Sequence, residues 1–114
     1  MERRAGRQLP LFMTIVNRQC LVVGNTILAT EKARLLLDFG ALVTIVVSEV
    51  TPALSILEDE YLNCSVKNKP LKEGDLLDVA LVISATGDIK LDSFVSSSAK
   101  KLGIPVNIVD NPNM

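Results

Sequence analysis

One turn in the first third of the chain carries the residues best suited to bind a phosphate group. Gly24, Thr26 and Ala29 follow an apolar run with the spacing of the dinucleotide-binding pattern G-x-G-x-x-G/A, although Thr26 replaces the second glycine. In that pattern, backbone N–H groups at a helix N-terminus point towards a pyrophosphate. The residues predicted to contact a dinucleotide in this turn are Gly24, Asn25, Thr26, Ile27 and Leu28.

Thr26 leaves two interpretations of the turn open. Its methyl group occupies space where the backbone should approach phosphate, while its hydroxyl could bind a phosphate or cap the following helix. If the position requires a positive φ, a β-branched residue adds strain of about 1–2 kcal/mol. The turn is therefore either a functional dinucleotide site or a turn with a structural role only.

A second group of candidates follows the next predicted strand. An acidic residue is expected there for the adenosine ribose, and Glu49 lies just beyond Val47, with Ser48 as a further possible donor. The turn contains no Arg or Lys that would suit a 2′-phosphate, which favours NAD over NADP. The alternative is that Glu49 is an ordinary surface charge.

Two later turns carry Thr86 and Asp110. Thr86 lies among small residues that would let a cofactor approach the strand, whereas Asp88 is best explained as the N-cap of the next helix. Asp110 follows the last strand, where a carboxylate could act as a general base. A turn-forming aspartate before Asn-Pro is the alternative for Asp110.

The pattern of apolar runs predicts the elements that hold these turns. Strands are predicted at 19–23, 41–47, 63–67, 79–84 and 104–109, and helices at 27–39, from 52 to about 57–60, and at 89–102. In the first helix we expect Leu28, Leu35, Leu36 and Phe39 to form the buried stripe. Alternating strands and helices predict a Rossmann-type, doubly wound parallel α/β sheet with strand order 3-2-1-4-5. In such a sheet the candidate turns meet at the carboxyl ends of the strands.

Composition narrows the class of protein. The 114 residues suit one domain, predicted at 9–114 after a flexible tail at 1–8. A net charge of −1 gives no reason to expect nucleic-acid binding, and no apolar run is long enough to span a membrane. The absence of histidine excludes His-based metal sites and catalysis within this chain, and no metal site is predicted. Cys20 and Cys64 are predicted to be buried free thiols in a reducing cytoplasm.

Several segments together resemble the N-terminal module of siroheme synthase, the precorrin-2 dehydrogenase/sirohydrochlorin ferrochelatase family. They are Leu9–Phe12, Cys20–Gly24, Glu31–Leu37, Gly40–Val47, Leu81–Thr86 and Gly103–Asp110. The resemblance covers the chain from Leu9 onwards. It departs at Val23-Gly24-Asn25-Thr26, where family members usually have Val-Gly-Gly-Gly.

This resemblance implies NAD-dependent oxidation of precorrin-2 to sirohydrochlorin in siroheme or cobalamin biosynthesis. It also implies that some members insert Fe²⁺ or Co²⁺, which are substrates of that step. Asp110 matches an aspartate of the family's Asn-Val-Val-Asp motif that is implicated in both reactions. Family members continue into dimerisation and helical regions, so this chain is interpreted as a fragment of a homodimeric protein.

Two other functions remain open at this stage. A module with a degenerate NAD site could act in chelation only or as a scaffold, and Thr26 favours that alternative. A regulatory nucleotide-sensing Rossmann domain is the third possibility. The apolar Leu9–Phe12 lead-in and the Asn107–Pro112 segment argue against it.

Overall fold

The computed structural model describes residues 14–109. The elements in chain order are β1 (Gln19–Val23), α1 (Ile27–Asp38), β2 (Leu42–Val47), α2 (Pro52–Glu60), β3 (Cys64–Asn68), a 3₁₀ turn (Glu73–Leu76), β4 (Leu81–Ser84), α3 (Ile89–Lys101) and β5 (Val106–Ile108). The order of strands and helices agrees with the sequence-based prediction, and every end lies within two residues of its predicted position or range. The predicted tail at 1–8 and Asp110 lie outside the described residues.

The five strands form one parallel sheet with the order β3-β2-β1-β4-β5. The predicted fold class and strand order are therefore confirmed. β1 lies in the centre, where Cys20 pairs with Val43 on one side and Leu81 on the other. A central strand in a parallel sheet is covered on both faces, which explains why β1 is a continuous apolar run.

Alternate residues of β1 belong to two separate cores. Cys20 and Val22 face the layer formed by α1 and α2, whereas Leu21 and Val23 face α3 and the 3₁₀ turn. All four side chains are at most 2% exposed. The first crossover helix therefore lies on one face of the sheet and α3 on the other, which is the doubly wound arrangement.

The predicted buried stripe of α1 was wrong for Leu35 and Phe39, whereas Leu36 is buried and Leu28 is partly buried against the core. Ala29, Ala33, Leu36 and Leu37 are the buried residues, while Leu35 and Phe39 are exposed. The helix places its alanines against the sheet, where small side chains let the backbones approach closely. A prediction that favours large apolar side chains therefore misplaces the buried face of such a helix.

The start of α2, the two cysteines and the last strand complete the description of the fold. Thr51 caps α2 by accepting a hydrogen bond from the N–H of Leu54, and Pro52 occupies the first turn. Cys20 and Cys64 are both buried free thiols in strands. The last strand is shorter than the predicted 104–109 range. Within residues 14–109 no helix has the length and hydropathy needed to cross a membrane.

Candidate cofactor site

The carboxyl ends of β1 and β4 define the candidate site. These neighbouring strands lead to helices on opposite faces of the sheet, so their carboxyl ends form the switch point of the fold, and the space just outside their two turns is here called the crevice. Ligands of doubly wound sheets bind at this position. The first turn runs from Gly24 to Ile27, and the second runs from Ala85 to Ile89.

Gly24 is required where the two turns touch. Its φ is +124°, and a Cβ atom built on it would lie 2.4 Å from the carbonyl oxygen of Ala85. Its N–H donates to the carbonyl oxygen of Val46 at 3.1 Å. Both conformation and space therefore demand glycine, and the first turn is held against the second by direct backbone contact.

Thr26 is the N-cap of α1, which was one of the roles considered for its hydroxyl, and the positive φ that would strain a β-branched residue does not occur there. Its φ is −72° and its ψ is 168°, so the backbone is extended and suits a β-branched residue. The hydroxyl accepts from the N–H of Ala29 at 3.1 Å and donates to the carbonyl oxygen of Ala85 at 2.7 Å. Since its only hydrogen is taken by Ala85, this hydroxyl serves as cap and anchor rather than as a phosphate donor.

The start of α1 keeps two backbone donors free. The N–H groups of Ile27 and Leu28 have no acceptor among residues 14–109, because Thr26 caps only Ala29. The Ile27 side chain is 79% exposed, so the end of this helix is open to solvent. An anion could therefore accept from these groups at the positive end of the helix dipole.

Ser48 and Glu49 follow β2 on the same edge of the sheet, and both are exposed. The side-chain amide of Asn25 donates to the carbonyl oxygen of Glu49 at 2.8 Å. This bond connects the first turn with the β2–α2 loop and leaves the Glu49 carboxylate out of the contact. The structure thus brings together Asn25 and Glu49, two residues predicted to contact the cofactor, and their role in binding stays a prediction.

Thr86 and Asp88 organise the second turn. Asp88 caps α3 as expected, accepting from the N–H groups of Lys90 and Leu91. The Thr86 hydroxyl accepts from the N–H of Asp88 at 3.0 Å. Thr86 is half-buried at the crevice, next to the Ala85 carbonyl oxygen that holds Gly24 and Thr26.

Asp92 was missed by the sequence reasoning. It is buried on α3, and its Oδ1 lies 2.6 Å from the Ser84 Oγ and 2.8 Å from the Thr86 Oγ1. A signal was present, because Asp92 shares a helical face with Val95 and Ala99, both of which are fully buried. A carboxylate on the apolar face of a predicted helix should have been marked as a candidate.

The cysteines are unsuited to nucleophilic chemistry. Burial raises the pKa of the Cys64 thiol to about 11, with a smaller contribution from the nearby charge of Glu58. Burial also raises the pKa of Cys20, against a smaller opposing effect from Arg18. A thiol is nucleophilic as the thiolate, so both side chains serve as packing residues.

The end of β5 lies at the same edge of the sheet as the candidate site. The N–H of Val109 donates to the carbonyl oxygen of Ser84 at 2.8 Å. The catalytic role predicted for Asp110 stays a prediction, because that residue lies outside the described range. Among residues 14–109 no group of three or more Cys, Asp or Glu side chains could hold a metal ion.

Comparison with protein families identifies the domain. Residues 11–114 match the family described as "Putative NAD(P)-binding". The chain belongs to this family. Membership of this family supports a nicotinamide cofactor as the ligand of the domain.

Comparisons with individual proteins agree with this assignment. The chain is 39% identical over 108 residues to a siroheme synthase of Nitrosomonas europaea, and 41% identical over 104 residues to one of Ectopseudomonas mendocina. These alignments cover 93% and 91% of this chain but 22% of each relative. The solved structure of SirC, a precorrin-2 dehydrogenase, matches with a TM-score of 0.80 and 29% identity, covering 94% of this chain and 54% of that one.

Proposed function

We propose that this domain binds NAD and takes part in the oxidation of precorrin-2 to sirohydrochlorin during siroheme biosynthesis. The observation that carries the proposal is the open N-terminus of α1, with the free N–H groups of Ile27 and Leu28 beside the crevice. Similarity to siroheme synthases over more than nine-tenths of the chain supplies the substrate class.

Residues of the first turn and of the loop after β2 have different roles in binding the cofactor. Ile27 and Leu28 donate to the pyrophosphate, while Gly24 and Thr26 fix the turn against Ala85. Ser48 and Glu49 receive the adenosine ribose, and Glu49 discriminates against a 2′-phosphate by charge repulsion. We therefore expect weak binding of NAD and weaker binding of NADP.

NAD, when bound, accepts a hydride from the substrate. The oxidation removes two electrons and two protons from precorrin-2, and the proton that does not leave within a hydride must go to a base. Asp110 is the proposed base, on the strength of the family motif. Metal insertion with Fe²⁺ or Co²⁺ as substrate rests on the same residue and stays a prediction, as does a homodimeric full-length protein.

Two buried free thiols support a reducing compartment, and we propose the cytoplasm as the site of action. The wider proposal is tested by titrating NAD⁺ and NADP⁺ into the protein by calorimetry, and by following NADH absorbance with precorrin-2 present. Binding of NAD⁺ with production of NADH supports the full proposal. No heat with either cofactor at millimolar concentration would overturn it.

A further inference from the structure

Asp92 lies beneath the second turn, on the side of α3 that packs against the sheet. It is only 8% exposed, and none of the ion pairs formed within residues 14–109 includes it. Burying a carboxylate without a cation is unfavourable unless hydrogen bonds compensate. The position therefore requires an explanation beyond packing.

The compensation comes from the end of β4. One oxygen of Asp92, Oδ1, accepts from the Ser84 hydroxyl at 2.6 Å, the Thr86 hydroxyl at 2.8 Å and the Thr86 N–H at 3.4 Å. Three donors converge on a single acceptor, and two of them belong to Thr86. Asp92 thus fixes both the backbone and the side chain of the residue that borders the crevice.

The hydrogen bonds that the Thr86 hydroxyl makes within the protein determine how it can interact with a ligand. Its single hydrogen goes to Asp92 at 2.8 Å in preference to the Asp88 carbonyl oxygen at 3.2 Å, because a bond to a carboxylate is the stronger one. One lone pair accepts from the N–H of Asp88 at 3.0 Å. The remaining lone pair is free, so Thr86 can only accept a hydrogen bond.

In the arrangement typical of this fold, a dinucleotide bound in the crevice would have its nicotinamide end at the second turn. An acidic residue after the second strand serves the adenosine ribose, which places adenosine over β2 and the other nucleotide on the β4 side of the pyrophosphate. The carboxamide N–H₂ and ribose hydroxyls of that nucleotide are donors. Its ring is cationic only in the oxidised state.

We propose that Asp92 is a positioning residue that makes Thr86 a hydrogen-bond acceptor for the nicotinamide nucleotide, and that its buried charge favours NAD⁺ over NADH. The inference rests on the proposed NAD function. It accounts for a carboxylate without a cation on the buried face of α3. A domain that oxidises its substrate benefits from such a preference, because the reduced cofactor is released.

The test measures the affinities of NAD⁺ and NADH by calorimetry for the 114-residue chain and its variants. Thr86→Val removes the acceptor and should weaken both cofactors about fivefold, whereas Thr86→Ser should stay within about twofold. Asp92→Asn keeps the shape and removes the charge, and should lower the preference for NAD⁺ over NADH about threefold or more. Ser98→Ala, at another buried polar position of α3, is the control for general destabilisation.

Each outcome decides between explanations. A lower preference for NAD⁺ in Asp92→Asn, with Ser98→Ala unchanged in that ratio, supports the inference. If Asp92→Asn lowers the melting temperature and weakens both cofactors equally, its role is only structural and the inference is overturned. The inference is also overturned if Thr86→Val binds both cofactors as tightly as the wild type does. In that case the binding of NAD⁺ by the wild type still supports the proposed function. No binding by the wild type would remove both proposals.

Discussion

The first and second turns follow neighbouring strands and each begins a helix, but they favour ligand groups of opposite charge. The first turn caps α1 with the neutral Thr26 and leaves the N–H groups of Ile27 and Leu28 without an acceptor among the described residues 14–109. The second turn caps α3 with the carboxylate of Asp88 and has a second carboxylate, Asp92, beneath it. Anions are favoured at a bare helix N-terminus and repelled where carboxylates already occupy it.

We propose that this difference orients a dinucleotide without any contact to its bases. The pyrophosphate is favoured at the first turn and disfavoured at the second, while a cationic ring suits the second turn. The two turns are also locked together, because Gly24 and Thr26 both contact the carbonyl oxygen of Ala85. A change at that contact should therefore affect both turns, whereas a change at a helix start should affect one.

The largest effect is expected from Gly24→Ala. The new Cβ meets the Ala85 carbonyl oxygen at 2.4 Å in a backbone with φ of +124°, and neither backbone can move without disturbing the sheet. We expect a loss of about 3 kcal/mol in the free energy of unfolding, combining strain and overpacking. Urea denaturation measures it.

Gly87→Ala in the second turn is the matched control. Gly87 also has a positive φ, of +77°, but no atom lies within 4 Å of a Cβ built there. It should lose only about 1 kcal/mol, from backbone strain alone. Equal losses in the two variants would show that the contact between the turns contributes nothing.

Thr26→Ala should have the next largest effect. The change removes the cap of Ala29 and the bond to Ala85, and we expect about 2 kcal/mol of destabilisation. Thr26→Ser keeps the hydroxyl and should stay within about 0.5 kcal/mol of wild type. Thermal melts of both variants give the comparison. If Thr26→Ser is as unstable as Thr26→Ala, the methyl group and not the hydroxyl stabilises the turn.

The sequence predicted the fold well and the site only in part. Strand order and the positions of the turns follow from apolar runs and glycines, because those signals are local and repeated. The sequence offered helix capping as one role of Thr26, but its bond to Ala85 could not be predicted, since the two residues are 59 positions apart and only the fold brings them together. Asp92 was detectable in principle from the helical period, but only the structure shows that it binds Ser84 and Thr86.

A substitution at the start of α1 distinguishes an effect on phosphate binding from an effect on stability. Ile27→Pro removes one free N–H at the first helical position, where proline is tolerated and Thr26 is already extended. The Ile27 side chain is 79% exposed, so little packing is lost. We expect NAD⁺ affinity to fall about tenfold, the worth of one hydrogen bond to a charged group, with little change in melting temperature.

Ile89→Pro at the start of α3 is the equivalent change in the second turn. Ile89 is 82% exposed and follows the extended Asp88, so the helix should tolerate it equally well. Its NAD⁺ affinity should match that of wild type, because no phosphate lies there. An equal loss of affinity in both variants, measured by calorimetry, would contradict the assignment of the pyrophosphate to the first turn.

The smallest expected effect concerns the choice between NAD and NADP at Glu49. The Glu49 carboxylate is exposed at the end of β2, and only its backbone carbonyl oxygen is bound by Asn25. Glu49→Gln therefore removes the charge and leaves that bond in place. At low ionic strength the preference for NAD⁺ over NADP⁺ should fall about threefold, because repulsion of an exposed 2′-phosphate is worth less than about 1 kcal/mol. Asp59→Asn, which removes an equal charge from the exposed surface of α2, should leave the ratio unchanged. If the two variants change the ratio equally, net charge explains the preference and Glu49 is an ordinary surface residue.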